Sequence, residues 1–275
     1  MSDAPPSFLS ALLAQGRPLV MGVLNVTPDS FSDGGRFLDP ARALEQAERM
    51  IAEGADVIDV GAESTRPYGD AAPVPAEDEM ARLAPIFGKV VGLGVPVSID
   101  TLKPEVAAWG LDRGAAMIND VWGLQREAGL ATLAAERKVP VVVMHNRDKA
   151  DPAIDILADI DAFFRRSLAI AERAGIAREQ IVLDPGIGFG KTPQQSMAAI
   201  AQLARLKCFG LPLLVGASRK RFITAVTPSE PDQRLGGSLA AHLLAVENGA
   251  AIVRVHDVAE TVQALRVAAA IRGVP

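Results

Sequence analysis

The side chains of this sequence that could carry chemistry follow closely on eight short apolar segments. In chain order they are Asn25, residues 63–67 (ESTRP), Asp100, Asn119 with Asp120, His145, Asp184, Lys220, and Arg254 with His256. Any one of them alone could be a helix cap or a turn residue. Because polar residues recur after every apolar segment, we interpret them as parts of one site rather than as independent caps.

Three of these positions offer hydrogen-bond acceptors of similar kind. Asp100 and Asp184 supply carboxylates, and Asn119 supplies an amide. Such groups suit a flat heterocycle that presents several N–H donors. A hydrogen bond to a charged group contributes about 1.5–3 kcal/mol. These three residues are therefore the predicted binding site for a substrate ring.

A second set favours binding of an anion. Lys220 and Arg254 carry fixed positive charge, and His256 adds to it when protonated. They follow the last two apolar segments, a frequent phosphate position in barrels. Arg254 and His256 are two apart on one predicted strand and should point to the same side. Asn25 with the nearby acid Asp33 could hold Mg²⁺, which prefers oxygen ligands and phosphate partners.

The elements that must position these residues are visible in the hydrophobic pattern. Most of the apolar segments are continuously apolar, which is typical of strands covered on both faces of a parallel sheet. Helical patterns lie between them, and several end at a glycine that suits a left-handed helix C-cap. The predicted strands cover residues 18–24, 55–60, 95–99, 115–118, 139–144, 180–183, 211–216 and 250–255.

Eight strands, each followed by a helix, predict an α/β fold of the (β/α)8 (TIM) barrel type. An open doubly wound sheet is the alternative. In a barrel the active site lies at the carboxyl ends of the strands, where the polar residues stand. No composition break marks a linker, so we predict a single domain over residues 1–275. Residues 1–16 form an N-terminal extension with a short helix that caps the base.

Composition excludes several classes of protein. The 275 residues are 49% hydrophobic and carry a net charge of −5 without a dense Lys/Arg tract, so nucleic acid is not an expected partner. We find no signal peptide and no apolar stretch of about 18 residues, so we expect no membrane partner and a cytoplasmic location. The single cysteine, Cys208, excludes an intramolecular disulfide and is predicted to be a packed small residue.

Two common catalytic motifs are incomplete in this sequence. The segment DPGIGFGKT (184–192) resembles a P-loop, but the position that needs the first glycine is Pro185. Neither His145 nor His256 has a serine partner at a nucleophile elbow, and mid-helix His242 is predicted to be a packed or surface residue. We expect backbone freedom to bring the chain close to a ligand at Gly186, Gly188 and Gly190.

The ordered motifs of the chain resemble the dihydropteroate synthases of folate biosynthesis. The resemblance runs from about Pro18 to about residue 270. It rests on MGVLNVTPDSFSDGG, DVIDVGAESTRP, SIDTLKPEV, INDV, VVVMH, LDPGIGFGKT, LLVGASRK and IVRVHDV.

The resemblance implies a transferase with a pterin-binding (β/α)8 barrel, usually a homodimer. Members of that family join 6-hydroxymethyl-7,8-dihydropterin diphosphate to 4-aminobenzoate and release 7,8-dihydropteroate and diphosphate. Mg²⁺ accompanies the diphosphate, and sulfonamides compete for the aminobenzoate site. The expected partners are therefore small molecules and a second copy of the chain.

The resemblance also implies roles for individual residues. The pterin ring would be bound by Asp100, Asn119, Asp184 and Lys220. The diphosphate would be bound by Asn25, which would also be the metal ligand, and by Thr65, Arg254 and His256. The aminobenzoate pocket would be shaped by Phe31, Thr65, Arg66, Pro67, Phe189 and Arg221, with the carboxylate near the start of a helix after Lys220. The catalytic set would be Asn25, Asp33, Arg66, Lys220, Arg254 and His256.

The sequence departs from the family pattern at two positions, and two other functions fit part of the pattern. Ala62 stands where many members have Gly, and Arg221 stands where some members have Ser. The added charge of Arg221 could alter sulfonamide affinity. Methyltetrahydrofolate:corrinoid methyltransferases also bind pterins but need no diphosphate site, which the SRK and RVH segments supply here. The serious rival is a pterin-binding paralogue of the same fold without synthase activity.

Overall fold

The computed structural model describes residues 8–26, 39–63 and 74–273. Their strands form one parallel sheet. The strands are β1 (Leu19–Asn25), β2 (Val57–Gly61), β3 (Val97–Asp100), β4 (Met117–Asp120), β5 (Val141–Met144), β6 (Ile181–Asp184), β7 (Leu214–Val215) and β8 (Ile252–Val255).

The sheet closes into a barrel. Its hydrogen-bonded order is β6-β5-β4-β3-β2-β1-β8-β7, and every pair is parallel. A single parallel bridge from Leu183 to Leu213, next to β7, joins the two ends of this order. The (β/α)8 barrel expected from the pattern is confirmed, and the open doubly wound alternative is wrong.

Ten α-helices are assigned among the described residues, most of them between consecutive strands. They are α1 (Phe8–Leu13), α2 (Pro40–Ala52), α3 (Ala76–Leu83), α4 (Phe87–Val91), α5 (Pro104–Leu111), α6 (Ala128–Arg137), α7 (Ile156–Ala174), α8 (Pro193–Ala201), α9 (Leu235–Glu247) and α10 (Val258–Ile271). Short 3-10 helices cover Arg178–Gln180, Leu203–Phe209 and Pro231–Gln233. No described helix is both long enough and apolar enough to span a bilayer.

Local sequence explains where several helices begin and end. The carboxylate of Asp39 accepts the N–H groups of Ala41 and Arg42, and Pro40 opens α2. Asp155 caps α7 in the same way, and α7 ends at Gly175 in the left-handed conformation. These signals set where α2 and α7 begin and where α7 ends.

The barrel interior is layered because side chains of a strand alternate between its two faces. The lowest layer is wholly apolar, and Leu9 of α1 packs against it from below. Its other members are Leu19, Met21, Val57, Met117, Val142, Val182, Leu214 and Ile252. The interior therefore has a dry floor, and polar side chains lie above it.

Two sequence predictions about this frame are wrong. Cys208 is exposed rather than packed. The chain after Lys220 forms successive turns, with Ile223 N–H donating to the Lys220 carbonyl, and the next regular α-helix begins only at Leu235. An anion placed after Lys220 would therefore meet turn backbone rather than a regular helix N-terminus.

Candidate active site

The layer above the apolar floor consists of polar side chains that point into the barrel. Parallel pairing sets Gly61 beside Asp100, and Asp100 beside Asn119. Met144 is set beside Asp184 in the same way. Strand pairing thus brings residues that are distant in sequence into one ring at the carboxyl end.

Arg254 lies at the centre of the polar ring. Its Nε donates to Asp59 Oδ2 at 2.6 Å, and its Nη2 donates to Asp100 Oδ2 at 2.7 Å. Asn119 Nδ2 donates to the same Asp59 oxygen at 2.9 Å. Burial lowers the pKa of Arg254, but Asp59 and Asp100 raise it by more, so the guanidinium stays charged.

Two carboxylate oxygens in this ring are buried without a partner. They are Asp59 Oδ1 and Asp100 Oδ1. A buried acceptor left unsatisfied is costly, so such atoms mark a place where a ligand donates hydrogen bonds. The arrangement suits a planar ligand with N–H groups on its edge.

Burial changes the protonation of the acids in this site. It raises the pKa of Asp100 to about 7, helped by repulsion from Asp59 and opposed by Arg254. It also raises the pKa of Asp184 to about 6, although the N–H of Gly186 donates to Asp184 Oδ1 at 2.7 Å. Both carboxyl groups therefore lose their protons at a higher pH than an exposed aspartic acid does.

The segment after β7 holds Lys220 over an aromatic ring. Lys220 Nζ lies 4.0 Å from the ring centroid of Phe189, which packs with Val121 and Met144. The preceding backbone is anchored from α9, since Ala217 N–H donates to His242 Nε2 and Arg219 N–H to Ser238 Oγ. His242 is thus packed, and burial lowers its pKa to about 4.

His256 lies just beyond the end of β8. Its Nδ1 is 3.0 Å from Ser218 Oγ, which also accepts the backbone N–H of His256. The segment GASRK (216–220) lacks the second glycine of a nucleophile elbow, and Ser218 is buried and orients the ring. Burial, together with Arg254, Arg219 and Lys220, lowers the pKa of His256 to about 3. The ring is neutral at pH 7 and adds no fixed charge.

Asn25 ends β1 at the same edge and is half-buried. Within the described ranges no group of three or more His, Cys, Asp or Glu side chains could hold a metal ion. One amide oxygen is compatible with Mg²⁺ only when the ion takes most of its ligands from water and substrate phosphates.

Several predicted residues cannot be placed. Phe31, Asp33, Thr65, Arg66 and Pro67 lie outside the described residues, so their roles stay predictions. Arg221 is exposed on the turns that follow Lys220.

Two residues that follow the polar layer point elsewhere. Asp120 accepts the N–H groups of Trp122 at 2.8 Å and Leu124 at 2.6 Å. This carboxylate caps a turn, and burial raises its pKa to about 6. His145 is fully buried, with Nε2 at 3.0 Å from Asp159 Oδ2 on α7. Neither residue belongs to the ring around Arg254.

The glycines after β6 serve backbone packing at two of three positions. A Cβ at Gly186 would lie 1.9 Å from the carbonyl oxygen of His145, and one at Gly190 would lie 2.4 Å from Arg147 Cβ. At Gly188 the nearest atom would be Cδ of Lys220, at 3.3 Å. Packing on neighbouring backbone therefore explains Gly186 and Gly190, and the approach of a ligand to this segment stays a prediction.

Sequence reasoning missed Asp59 as part of the site. Asp59 lies inside β2 rather than at its end, in the segment VIDVG. A carboxylate in the middle of an otherwise apolar strand is the signal that could have identified it, since such groups are rarely buried unless paired.

Comparison with known proteins agrees with this geometry. The family model described as pterin binding enzyme matches residues 21–256. The dihydropteroate synthase of Bacillus subtilis is 44% identical over 250 residues, covering 90% of this chain and 87% of that protein.

Solved structures give the same result. The Xanthomonas albilineans dihydropteroate synthase with 4-aminobenzoic acid superposes with a TM-score of 0.89 at 45% identity, covering 94% of each chain. The Yersinia pestis dihydropteroate synthase in complex with a sulfonamide drug gives a TM-score of 0.86 at 41% identity, covering 94% of this chain and 95% of that one. The chain therefore belongs to the pterin binding enzyme family, together with the dihydropteroate synthases.

Proposed function

We propose that this chain condenses 6-hydroxymethyl-7,8-dihydropterin diphosphate with 4-aminobenzoate to give 7,8-dihydropteroate and diphosphate. The observation that carries the proposal is the ring of Asp59, Asp100 and Asn119 around Arg254, with two unpaired buried oxygens. Relatives that bear the name of this activity match most of the chain.

The pterin ring is assigned to the barrel mouth. Asp184 and Asn119 are largely buried and would contact the edge of the pterin ring. Asp100 offers its unpaired Oδ1 to the same ring. Lys220, held over Phe189, supplies a cation beside Asp184. A fused ring with several N–H donors matches these carboxylate and amide oxygens, and its own acceptors match the Lys220 ammonium.

The diphosphate is assigned to the side of the mouth between β8 and β1. Arg254 supplies charge, neutral His256 supplies a ring N–H, and Asn25 supplies an oxygen for a metal ion. Thr65 is included from the family resemblance alone. Mg²⁺, when bound there with the substrate phosphates, would neutralise charge that develops on the departing diphosphate.

The aminobenzoate pocket is assigned mainly from the family resemblance. Its members would be Phe31, Thr65, Arg66, Pro67, Phe189 and Arg221. Sulfonamides would compete at this pocket, as expected from the drug complex of the Yersinia pestis relative.

The reaction exchanges one bond at the pterin methylene carbon. Its C–O bond breaks and the electron pair leaves with the diphosphate, whose negative charge Arg254 and His256 stabilise. The amine of 4-aminobenzoate forms the new C–N bond and then loses a proton to water. An arylamine is neutral and nucleophilic at pH 7, so no strong base is needed. Asp33 and Arg66 are assigned to the catalytic set from resemblance, with Asn25 and Lys220.

The experiment that tests the function is calorimetric titration with 4-aminobenzoate in the presence of Mg²⁺, run with and without diphosphate. A product assay with the pterin diphosphate and 4-aminobenzoate follows. Diphosphate-dependent binding with formation of dihydropteroate supports the synthase. Pterin binding without condensation supports the non-catalytic paralogue instead. Omitting Mg²⁺ tests the metal, which we expect to strengthen diphosphate binding.

We also propose a homodimer that uses α9 and α10. Of the four exposed large hydrophobic side chains among the described residues, Leu244 lies on α9, and Val267 and Ile271 lie on α10. Sedimentation velocity should give a dimer mass, and Leu244→Glu with Val267→Glu should give a monomer. A monomeric parent protein would contradict this proposal.

A further inference from the structure

Lys191, from the segment that resembles a P-loop, is fully buried and has no evident part in the proposed reaction. Lys191 is only 1% exposed, and its Nζ lies 2.6 Å from His145 Nδ1. Nζ also donates to the carbonyl oxygen of Phe189 at 3.1 Å. Burial lowers the pKa of Lys191 to about 7, because an ammonium group taken from water costs several kcal/mol unless it is paired.

The contacts continue as a chain to α7. The carboxylate of Asp159 can only accept, so the neutral His145 ring carries its proton on Nε2 and its Nδ1 accepts from Lys191 Nζ. That proton is donated to Asp159 Oδ2 at 3.0 Å. Asp159 also accepts from Arg147 Nη1 at 2.9 Å. Burial lowers the pKa of His145 to about 4, which agrees with a neutral ring.

These contacts link the segments that follow three strands at the proposed pterin site. His145 follows β5, and Lys191 and Phe189 follow β6. The Phe189 ring lies under Lys220, which follows β7. Gly186 packs closely on the His145 carbonyl, so the segments that follow β5 and β6 are in direct backbone contact. Moving the Phe189 carbonyl would therefore move the surface on which Lys220 rests.

We infer that Lys191 is a positioning residue. Through His145 and Asp159 it fixes the Phe189 carbonyl, and thereby the Phe189 ring and the Lys220 ammonium, in the geometry that binds the pterin. The inference rests on the proposed function, because the ring that Lys220 contacts is the proposed substrate.

Lys191→Met tests this role, since methionine fills similar space without the charge. We expect the KM for the pterin diphosphate to rise about tenfold, equivalent to roughly 1.4 kcal/mol, with kcat changed much less. The reason is that Lys191 touches no reacting atom. A KM within twofold of the parent value, with an unchanged melting temperature, would overturn the inference.

Asp159→Asn provides a second variant in case Lys191→Met fails to fold, because the Asp159 side chain is 31% exposed and easier to replace. We expect a smaller rise in the same KM, and no further rise when both changes are combined. Asp161→Asn, which breaks the exposed pair with Arg165 on the same helix, is the matched control and should leave KM unchanged. An unchanged KM in Asp159→Asn also overturns the inference.

A spectroscopic measurement separates positioning from general loss of packing. Nitrogen-15 NMR of His145 should show the Nε2–H tautomer in the parent protein. In Lys191→Met the pKa of His145 should rise, because the repulsion from Lys191 is gone while Asp159 remains. An Nδ1–H tautomer in the parent protein would contradict the proposed hydrogen bonds from Lys191 to His145 and from His145 to Asp159. An inactive parent protein would instead count against the proposed synthase, which keeps the two failures distinct.

Discussion

At the scale of single residues, the site depends on acids that share one guanidinium. Arg254 pairs with Asp59 and Asp100, and Asn119 donates to Asp59. Replacement of Arg254 would therefore leave two buried carboxylates uncompensated and weaken pterin binding as well as turnover. An effect on turnover alone, which the diphosphate assignment by itself would suggest, is not expected.

Asp184→Asn should mainly weaken pterin binding. The change removes the charge from a buried acceptor but keeps its shape, so we expect a loss of about 10- to 150-fold in affinity. Calorimetry with the pterin substrate and Mg²⁺ measures this. Unchanged affinity would show that Asp184 does not bind the ring.

Asp100→Asn should change how stability depends on pH. The pKa of Asp100 is raised from 3.8 to about 7 by folding, so its contribution to stability is full below pH 4 and is lost as the pH rises through 7. Asparagine cannot titrate. Relative to the parent protein, the variant should therefore gain roughly 1–3 kcal/mol in free energy of unfolding between pH 5 and pH 8. Urea denaturation at both pH values measures the difference, and a constant difference would contradict the raised pKa.

At the scale of elements, loops after neighbouring strands hold one another in place. The segment after β6 packs on residues 145–147, and the segment after β7 is anchored on α9 through His242 and Ser238. Close backbone contact, rather than regular secondary structure, sets these loops. Adding a Cβ atom at a glycine should therefore destabilise the protein more here than at exposed helix ends.

Gly186→Ala should be strongly destabilising. Gly186 has φ +66°, and a Cβ would meet the His145 carbonyl oxygen at 1.9 Å, so strain and overlap together should cost about 3 kcal/mol or more. Gly175→Ala is the matched control, because Gly175 has φ +85° but open space around it. It should cost only about 1–2 kcal/mol. Equal losses in denaturant unfolding would show that overlap is unimportant at Gly186.

At the scale of the whole molecule, the barrel separates stability from chemistry. The apolar floor and α1 close one end, and the polar ring occupies the other. Burial of apolar surface supports the fold, while the unpaired Oδ1 atoms of Asp59 and Asp100 above it destabilise the empty site. Substrate binding should therefore stabilise the whole barrel.

Leu9→Ala should destabilise the protein by about 2–5 kcal/mol, because Leu9 is buried against the floor. Leu12→Ala on the same helix should cost less, since Leu12 is only partly buried. Thermal and urea unfolding measure both changes. Equal, small effects would show that α1 does not contribute to barrel stability.

The sequence alone determined the barrel and much of its mouth. Continuous apolar runs are typical of covered parallel strands, so eight strands and the residues Asp100, Asn119, Asp184 and Arg254 could be found from local pattern and motif. Only the tertiary structure showed that Asp59 joins the ring and that Ser218 holds His256. It also showed that Lys191, which resembles a P-loop lysine, is a buried link between loops. These contacts join residues far apart in the chain, and their pKa values depend on burial and neighbouring charge, which no local pattern records.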